Sequence, residues 1–138
     1  MRASELRIGN YLSYISSFEK DGELYIKEHS PVVWISEDSI SLKGMNNGDY
    51  GLVEEVMKPI PLTEEWLLRF GFEKDGWHGW YNIGLNKPLF GSKSLSYNIK
   101  RHIFEIDPDA EIQITHVHSL QNLFFALTGE ELKLKENE

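Results

Sequence analysis

The sequence SLQNLFFALTGEEL, residues 119–132, decides the fold because it combines the clearest helical period of the chain with a clear stop signal. Four large apolar residues recur at the i, i+3, i+4, i+7 spacing of one helix stripe: Leu120, Leu123, Phe124 and Leu127. Gln121 and Asn122 fall off that stripe. Ser119 suits the N-cap, and Gly129 suits the left-handed position after a helix end. Burying the four side chains contributes roughly 6–12 kcal/mol before entropy, so the stretch predicts a final helix packed on the core.

The composition predicts one domain, or two very small units, without covalent staples. The chain has 138 residues and no Cys, which excludes disulfides and thiolate metal sites and fits a reducing compartment. No apolar run approaches the roughly 20 residues of a membrane span, and the first residues lack the apolar segment of a secretory signal. We therefore expect a cytoplasmic protein without a membrane partner.

The charge is strongly acidic overall but not in the middle of the chain. There are 14 basic and 22 acidic residues, giving a formal net charge of −8. This balance opposes non-specific attraction to nucleic acid or to an anionic membrane. Between Gly76 and Ile103, however, there is no Asp or Glu.

Short strand-like segments fill residues 1–58. Gly9-Asn10 is typical of a turn or bulge at the entrance to a strand. Asp21-Gly22 is a strong hairpin signal between two apolar segments. Two more strand-like runs and one turn-rich loop follow: residues 31–35, 39–42 and 45–51. Several short strands separated by turns predict a small antiparallel, SH3-like β-barrel unit or a strongly curled sheet.

A boundary is expected at Pro59 and Pro61, and a short helix follows it. Thr63 is a good N-cap, and the two acidic residues after it lie where the helix dipole favours anions. Trp66, Leu67 and Phe70 then form the apolar face of a helix that ends at Gly71.

The rest of the second half alternates between strand and turn patterns. We expect four strands, at residues 77–83, 94–99, 104–106 and 111–115. Residues 84–91 read as a loop and residues 107–110 as a turn. Because Ile112 and Ile114 alternate with polar residues, we expect one buried face on the last strand. Leu132 and Leu134 extend the packing beyond the final helix. The prediction is thus an α+β protein: a barrel-like unit at 1–58, then an antiparallel sheet with two helices at 59–138, which may form one shared core.

Three blocks of the sequence resemble, in this order, an uncharacterised family of small proteins from Bacteroides-type genomes and their phages or mobile elements. The blocks are ASELRIGNY (residues 3–11), KPIPLTEEWLLRFGF (58–72) and the stretch from 118 to 132. The resemblance implies small size and a bacterial or phage origin, hence the cytoplasm of a bacterial or infected cell. It implies no activity, cofactor or catalytic residue.

The acid-free middle of the chain mixes aromatic and basic residues. Aromatic faces that stack bases, beside cations that contact phosphate, are typical of single-stranded nucleic-acid binding, whereas aromatics with Arg are also enriched at protein interfaces. If Trp80 faces inward, strand alternation turns Trp77 and Tyr81 outward. The candidate binding residues are Trp77, Trp80, Tyr81, Lys87, Lys93, Tyr97, Lys100 and Arg101. The competing interpretation, which we favour, is that these residues are ordinary members of the core and surface.

His116 and His118 are a weaker candidate, for a metal. On a strand, alternate residues point to one side, as two imidazole ligands require. The competing interpretation, which we favour, is that Thr115–His118 connects the last strand to the final helix. No cofactor is predicted. The sequence also lacks a nucleophile motif and a phosphate loop, which favours a non-enzymatic protein.

The sequence therefore predicts a non-enzymatic binding protein of phage or mobile-element origin whose partner is another protein. Two alternatives stay open. One is a nucleic-acid-binding accessory protein that uses residues 77–102, although the net charge disfavours it. The other is a metal-assisted hydrolase built around His116 and His118.

Overall fold

The computed structural model describes residues 5–20, 23–35, 39–42, 51–52, 57–76, 78–89, 91–107 and 110–135. Contacts divide the chain into two compact units, residues 1–60 and residues 61–138. Within the described residues each unit contains one five-stranded antiparallel sheet, and the second unit also contains two helices. The α+β class predicted from the sequence is therefore confirmed.

The first unit is a sheet in the order β4-β3-β2-β1-β5. Its strands are β1 (Tyr11–Lys20), β2 (Glu23–Ile35), β3 (Ser39–Leu42), β4 (Gly51–Leu52) and β5 (Met57–Lys58). The apolar segment after Asp21-Gly22 and the predicted run 31–35 belong to the single long strand β2. Among the residues that the structure describes, these strands do not close into a barrel, so the SH3-like barrel is unconfirmed.

The entrance to β1 is a turn, as Gly9-Asn10 predicts. Gly9 has a φ of +98°, which is accessible to glycine without a Cβ clash. The buried side chain of Asn10 accepts a hydrogen bond from the Arg7 backbone N–H at 2.7 Å. Two backbone hydrogen bonds of 2.8 Å, from Gly9 N–H to the Val32 carbonyl and from Val32 N–H to the Asn10 carbonyl, then tie the turn to β2. The predicted Asp21-Gly22 turn lies outside the described residues, but Lys20 and Glu23 on either side of it are paired.

The second unit is a meander in the order β10-β9-β8-β7-β6, with one helix before the sheet and one after it. Its elements are α1 (Glu64–Arg69), β6 (Glu73–Asp75), β7 (Trp80–Leu89), β8 (Ser92–Asn98), β9 (Ile103–Asp107), β10 (Ala110–Gln113) and α2 (Val117–Thr128). A backbone hydrogen bond of 3.0 Å from Leu62 N–H to the Thr115 carbonyl, beside the Pro61–His116 bridge, joins the segments that precede the two helices.

Helix α1 confirms its predicted signals. The Thr63 hydroxyl caps it by accepting the Trp66 N–H at 3.5 Å, and Gly71 follows its end with a φ of +97°. Its predicted apolar face is buried, since Trp66, Leu67 and Phe70 are at most 7% exposed.

Helix α2 starts earlier than predicted. Its first residue is Val117 and its N-cap is His116, so the prediction of Ser119 as N-cap is wrong. Val117 is fully buried. Gln121 lies four residues later on the same face of the helix and is only 1% exposed, so the buried face contains Gln121, which the predicted stripe left out. Leu120 and Phe124 are buried as predicted, whereas Leu123 and Leu127 are half-buried.

The end of α2 agrees with the sequence analysis. Gly129 has a φ of +74°, and its N–H donates to the Phe125 carbonyl at 2.8 Å. Leu132 and Leu134 are buried beyond the helix, as expected.

Three details of the sheet differ from the prediction. The strand β6 was not expected. Residues 84–89, predicted as part of a loop, continue β7. The buried face expected on the last strand is not continuous, because Ile112 on β10 is 37% exposed and the buried Ile114 lies just beyond the end of β10.

Candidate binding groove

A groove of the second unit arises from a bulge in β7. Gly84 pairs with Ser94, but the next pair is Leu89 with Ser92, so residues 85–88 lie opposite Lys93 alone. Such extra residues leave the ladder locally unpaired and bend the strand. The bulge therefore projects from the sheet at the end of β7.

The C-terminal half of α2 faces this bulge and closes a groove. The cavity has a volume of about 230 Å³ and is lined by Gly84, Leu85, Asn86, Lys87, Pro88, Leu89, Phe124, Thr128 and Glu130. Ligand pockets for drug-sized molecules span roughly 300–1,000 Å³. The groove is therefore sized for one or two amino-acid side chains.

Hydrogen bonds fix both walls of the groove. The Asn86 amide donates to the two carboxylate oxygens of Glu130, at 3.1 and 3.0 Å, and so links the bulge to the residue just beyond α2. The Thr128 hydroxyl donates to the Phe124 carbonyl at 2.7 Å and accepts the Glu130 N–H at 3.0 Å. Lys87 is exposed at the rim. The groove thus combines an apolar lining from leucines and a phenylalanine with a polar rim.

Two of the predicted binding residues, Tyr81 and Tyr97, lie in the core rather than on the surface. They pair across β7 and β8 and are 2% and 0% exposed. Burial raises the pKa of Tyr81 above 10, and the Glu64 carboxylate, to which it donates a hydrogen bond, adds to the rise. Burial also raises the pKa of Tyr97 to about 12. Neither ring is placed to stack on a base.

The orientation of β7 is therefore the reverse of the one considered in the sequence analysis. Tyr81 faces inward and Trp80 is half-exposed. Trp77 lies outside the described residues.

The predicted cations divide between the two ends of the sheet. Lys87 and Lys93 are exposed at the bulge, and Lys100 and Arg101 are exposed in the turn after β8. Arg101 forms an ion pair of 3.6 Å with Glu111. The structure thus separates the basic stretch into two surfaces with buried tyrosines between them.

His116 and His118 lie at the start of α2 rather than on a strand, so the alternation argument for a metal does not apply. Their rings stack at 5.9 Å with an interplanar angle of 27°. His118 is 6% exposed, and the Thr115 hydroxyl lies 3.0 Å from Nδ1 of His116. Among the described residues no three His, Cys, Asp or Glu side chains form a group that could hold a metal ion. His116 thus lies at the connection between the last strand and α2, and His118 lies in the first turn of α2.

Sequence reasoning missed most of the groove, although one signal was present. A proline within a strand is found on edges or at bulges, and Pro88 marks this bulge. A second overlooked signal concerns β6. The pentapeptide FEKDG occurs twice, at residues 18–22 and 72–76, and its first copy had already predicted a hairpin.

No protein-family model matches the chain, and neither does any curated protein or any solved structure. The resemblance of the three sequence blocks to the Bacteroides-type family thus stays a prediction. In the part of the chain that the structure describes, neither helix has the length and apolar character needed to cross a membrane.

Proposed function

We propose that this protein is a non-enzymatic binding protein whose partner is another protein, and that the partner inserts an apolar side chain into the groove between the β7 bulge and α2. The observation that carries the proposal is the groove itself, an apolar cavity of about 230 Å³ with a hydrogen-bonded polar rim.

The dimensions and lining of the groove support a side-chain ligand. The strongest contacts of protein interfaces are aromatic or aliphatic side chains that fill a pocket surrounded by a polar rim. Leu85, Leu89 and Phe124 supply the apolar lining, and Lys87 with the Asn86–Glu130 pair supplies the rim. Burying one leucine-sized side chain contributes roughly 1.5–3 kcal/mol.

The same geometry supports binding over catalysis. Lys87 and Glu130 are the titratable residues among those that line the cavity. The Glu130 carboxylate already accepts two hydrogen bonds from Asn86, which occupies it as a structural acceptor.

Site-specific photocrosslinking in cells that naturally encode the protein tests this function. A photoreactive amino acid at position 87 should trap one discrete partner that is sensitive to protease and resistant to nuclease. The matched control carries the same group at Lys74, which is exposed on β6 at the edge of the sheet.

A pair of leucine variants makes the test specific for the groove. Leu89→Asp places a charge in the apolar lining and should abolish crosslinking from position 87. Leu68→Asp makes the same chemical change on α1, at a side chain that is 45% exposed, and should leave crosslinking intact. Thermal unfolding of both variants checks that they fold.

Two results would contradict the proposal. Equal crosslinking from positions 87 and 74 would remove the groove as the site. Binding of single-stranded DNA or RNA that falls with salt and is lost in a Trp77→Ala, Lys93→Ala double variant would support the nucleic-acid alternative instead.

We also propose that the first unit curls into a small SH3-like barrel. The strand order β4-β3-β2-β1-β5 supports it, because a meander whose first strand also pairs with its fifth brings both ends of the sheet toward each other as it twists. The absence of Cys supports a cytoplasmic location.

A further inference from the structure

At the end of the second sheet away from the groove, two adjacent turns present four basic or imidazole side chains. The turn before β7 contains His78, and the turn between β8 and β9 contains Lys100, Arg101 and His102. All four side chains are exposed. The strands that carry these turns are paired, Trp80 with Asn98, so the turns lie side by side. We call them the basic turns.

A buried asparagine holds the two turns together. Asn98 is 3% exposed, and its amide donates to the His78 carbonyl at 3.1 Å. Its side-chain oxygen accepts the backbone N–H groups of Lys100 and Arg101, both at 3.0 Å. The Ile99 N–H donates to the Gly79 carbonyl at 2.9 Å. The basic side chains therefore project from a fixed backbone, which lowers the entropy lost when they bind a ligand.

Packing holds two of these side chains further. Gly79 is buried with a φ of +84°, and a Cβ there would lie 2.9 Å from Cγ of Lys100. The aliphatic stem of Lys100 thus rests on the glycine backbone. His102 has a φ of +56°, and its Nδ1 lies 3.5 Å from the Tyr97 hydroxyl. A non-glycine residue in this left-handed region is uncommon and persists where its surroundings hold it.

One carboxylate already approaches the basic turns from within the chain. Arg101 and Glu111 form an ion pair of 3.6 Å, and their side chains are 59% and 43% exposed. Exposed pairs of this kind contribute little to stability, so a second carboxylate can replace Glu111 at low cost. The pair shows the chemistry of the ligand that this surface accepts.

The observations favour carboxylates over a nucleic-acid backbone. The formal charge of −8 repels a long polyphosphate more strongly than a short acidic segment, which carries fewer charges. Of the three described aromatic residues of β7 and β8, Tyr81 and Tyr97 are buried and offer no stacking face, so that Trp80 alone is half-exposed near these cations. We infer that the basic turns bind a short carboxylate-rich segment of the partner protein. This inference rests on the proposed protein-binding function and adds a second contact with the partner. The basic turns lie about six residues along the chain from the groove, which corresponds to about 20 Å of extended strand.

Fluorescence anisotropy with a defined probe tests the inference. The probe is a fluorescein-labelled decapeptide of alternating Glu and Ser, titrated with the full chain at low salt. A Lys100→Glu, Arg101→Glu variant should weaken binding by about tenfold, because two attractions become repulsions. A Lys93→Glu, Lys133→Glu variant makes the same charge change at two exposed residues outside the basic turns and should alter affinity by less than about twofold.

A gain of affinity separates a binding role from a merely structural one. Glu111→Gln removes the internal competitor for Arg101 and should strengthen peptide binding about twofold to threefold. Glu65→Gln changes the net charge equally at an exposed residue of α1 and should have a smaller effect.

Three outcomes would overturn the inference. They are no binding of the peptide, equal loss in the two double variants, or tighter binding of oligothymidine with the same dependence on Lys100 and Arg101. None of these affects crosslinking from position 87, so the inference can fail while the proposed function stands. Loss of the crosslink with retained peptide binding would be the opposite failure.

Discussion

Replacing Tyr97 by phenylalanine should remove one buried hydrogen bond and, with it, part of the alkaline sensitivity of the protein. Tyr97 is 0% exposed, and its hydroxyl donates a hydrogen bond to the Ile114 carbonyl at 2.5 Å. Phenylalanine keeps the ring but leaves that carbonyl, in a residue that is 6% exposed, without this donor. We expect Tyr97→Phe to lower the free energy of unfolding by about 1–2 kcal/mol at neutral pH.

The effect of pH follows from the raised pKa of Tyr97. Burial raises this pKa to about 12, whereas the unfolded chain should titrate near the ordinary value of 10. Between these values the unfolded state loses its proton first, so the stability that is present below pH 10 falls as the pH rises toward 12. At about pH 11 the wild-type chain should have lost about 1.4 kcal/mol through this residue.

Urea unfolding followed by tryptophan fluorescence at about pH 8 and about pH 11 measures both effects. The difference in stability between the wild-type chain and Tyr97→Phe should shrink by about 1.4 kcal/mol at the higher pH. Tyr81, whose pKa is also raised by burial and by Glu64, is present in both proteins, so its contribution cancels. A difference that is the same at both pH values would refute the reasoning, and so would a variant as stable as wild type at pH 8.

Six further substitutions, at four positions, test the backbone and its caps. Gly129→Ala should lower the free energy of unfolding by about 1–2 kcal/mol, because Gly129 has a φ of +74°. Gly84→Ala also adds a methyl group in open space but at a residue without a left-handed φ, so it should raise the free energy of unfolding by up to about 1 kcal/mol. Changes of the same sign in urea unfolding of the two variants would contradict this. Asn98→Ala removes the three hydrogen bonds of the Asn98 side chain and should lower the free energy of unfolding by about 2–4 kcal/mol. Asn98→Asp keeps the acceptor oxygen but not the donor, so thermal unfolding should show a smaller loss of stability than for Asn98→Ala. Thr63→Ala should cost about 0.5–1 kcal/mol and Thr63→Ser less, since only the serine retains a capping oxygen; identical melting temperatures would exclude the cap.

Local chemistry made α1 and the end of α2 predictable. Thr63, Gly71 and Gly129 act through their own backbone geometry, which depends little on distant residues. The start of α2 was not predictable in the same way. Val117 joins the helix because the pairing at Pro61–His116 brings it to the core, and no local pattern reports a contact between residues so far apart in sequence.

The groove depended on a feature that interrupts the pattern used to find strands. The bulge at residues 85–88 shifts the register of β7, because Gly84 and Leu89 are five positions apart while their partners on β8, Ser94 and Ser92, are only two apart. Alternation cannot be followed through such a shift. The aromatic and basic candidates do not form one surface for a related reason. Alternation allows either face of β7 to be buried, and Tyr81 is on the buried face, where it pairs with the buried Tyr97 of β8.

The Pro61–His116 bridge has a consequence for the order in which the second unit forms. Every neighbour in its sheet is also the next strand in sequence, so these hairpins close short loops and can form early. The bridge, in contrast, joins segments 55 residues apart and needs the chain to be synthesised past His116. A nascent chain that ends after β10 would hold a meander whose two ends are not yet joined. Chains arrested on the ribosome before His116 is synthesised should therefore be sensitive to protease, and chains arrested after it should be resistant.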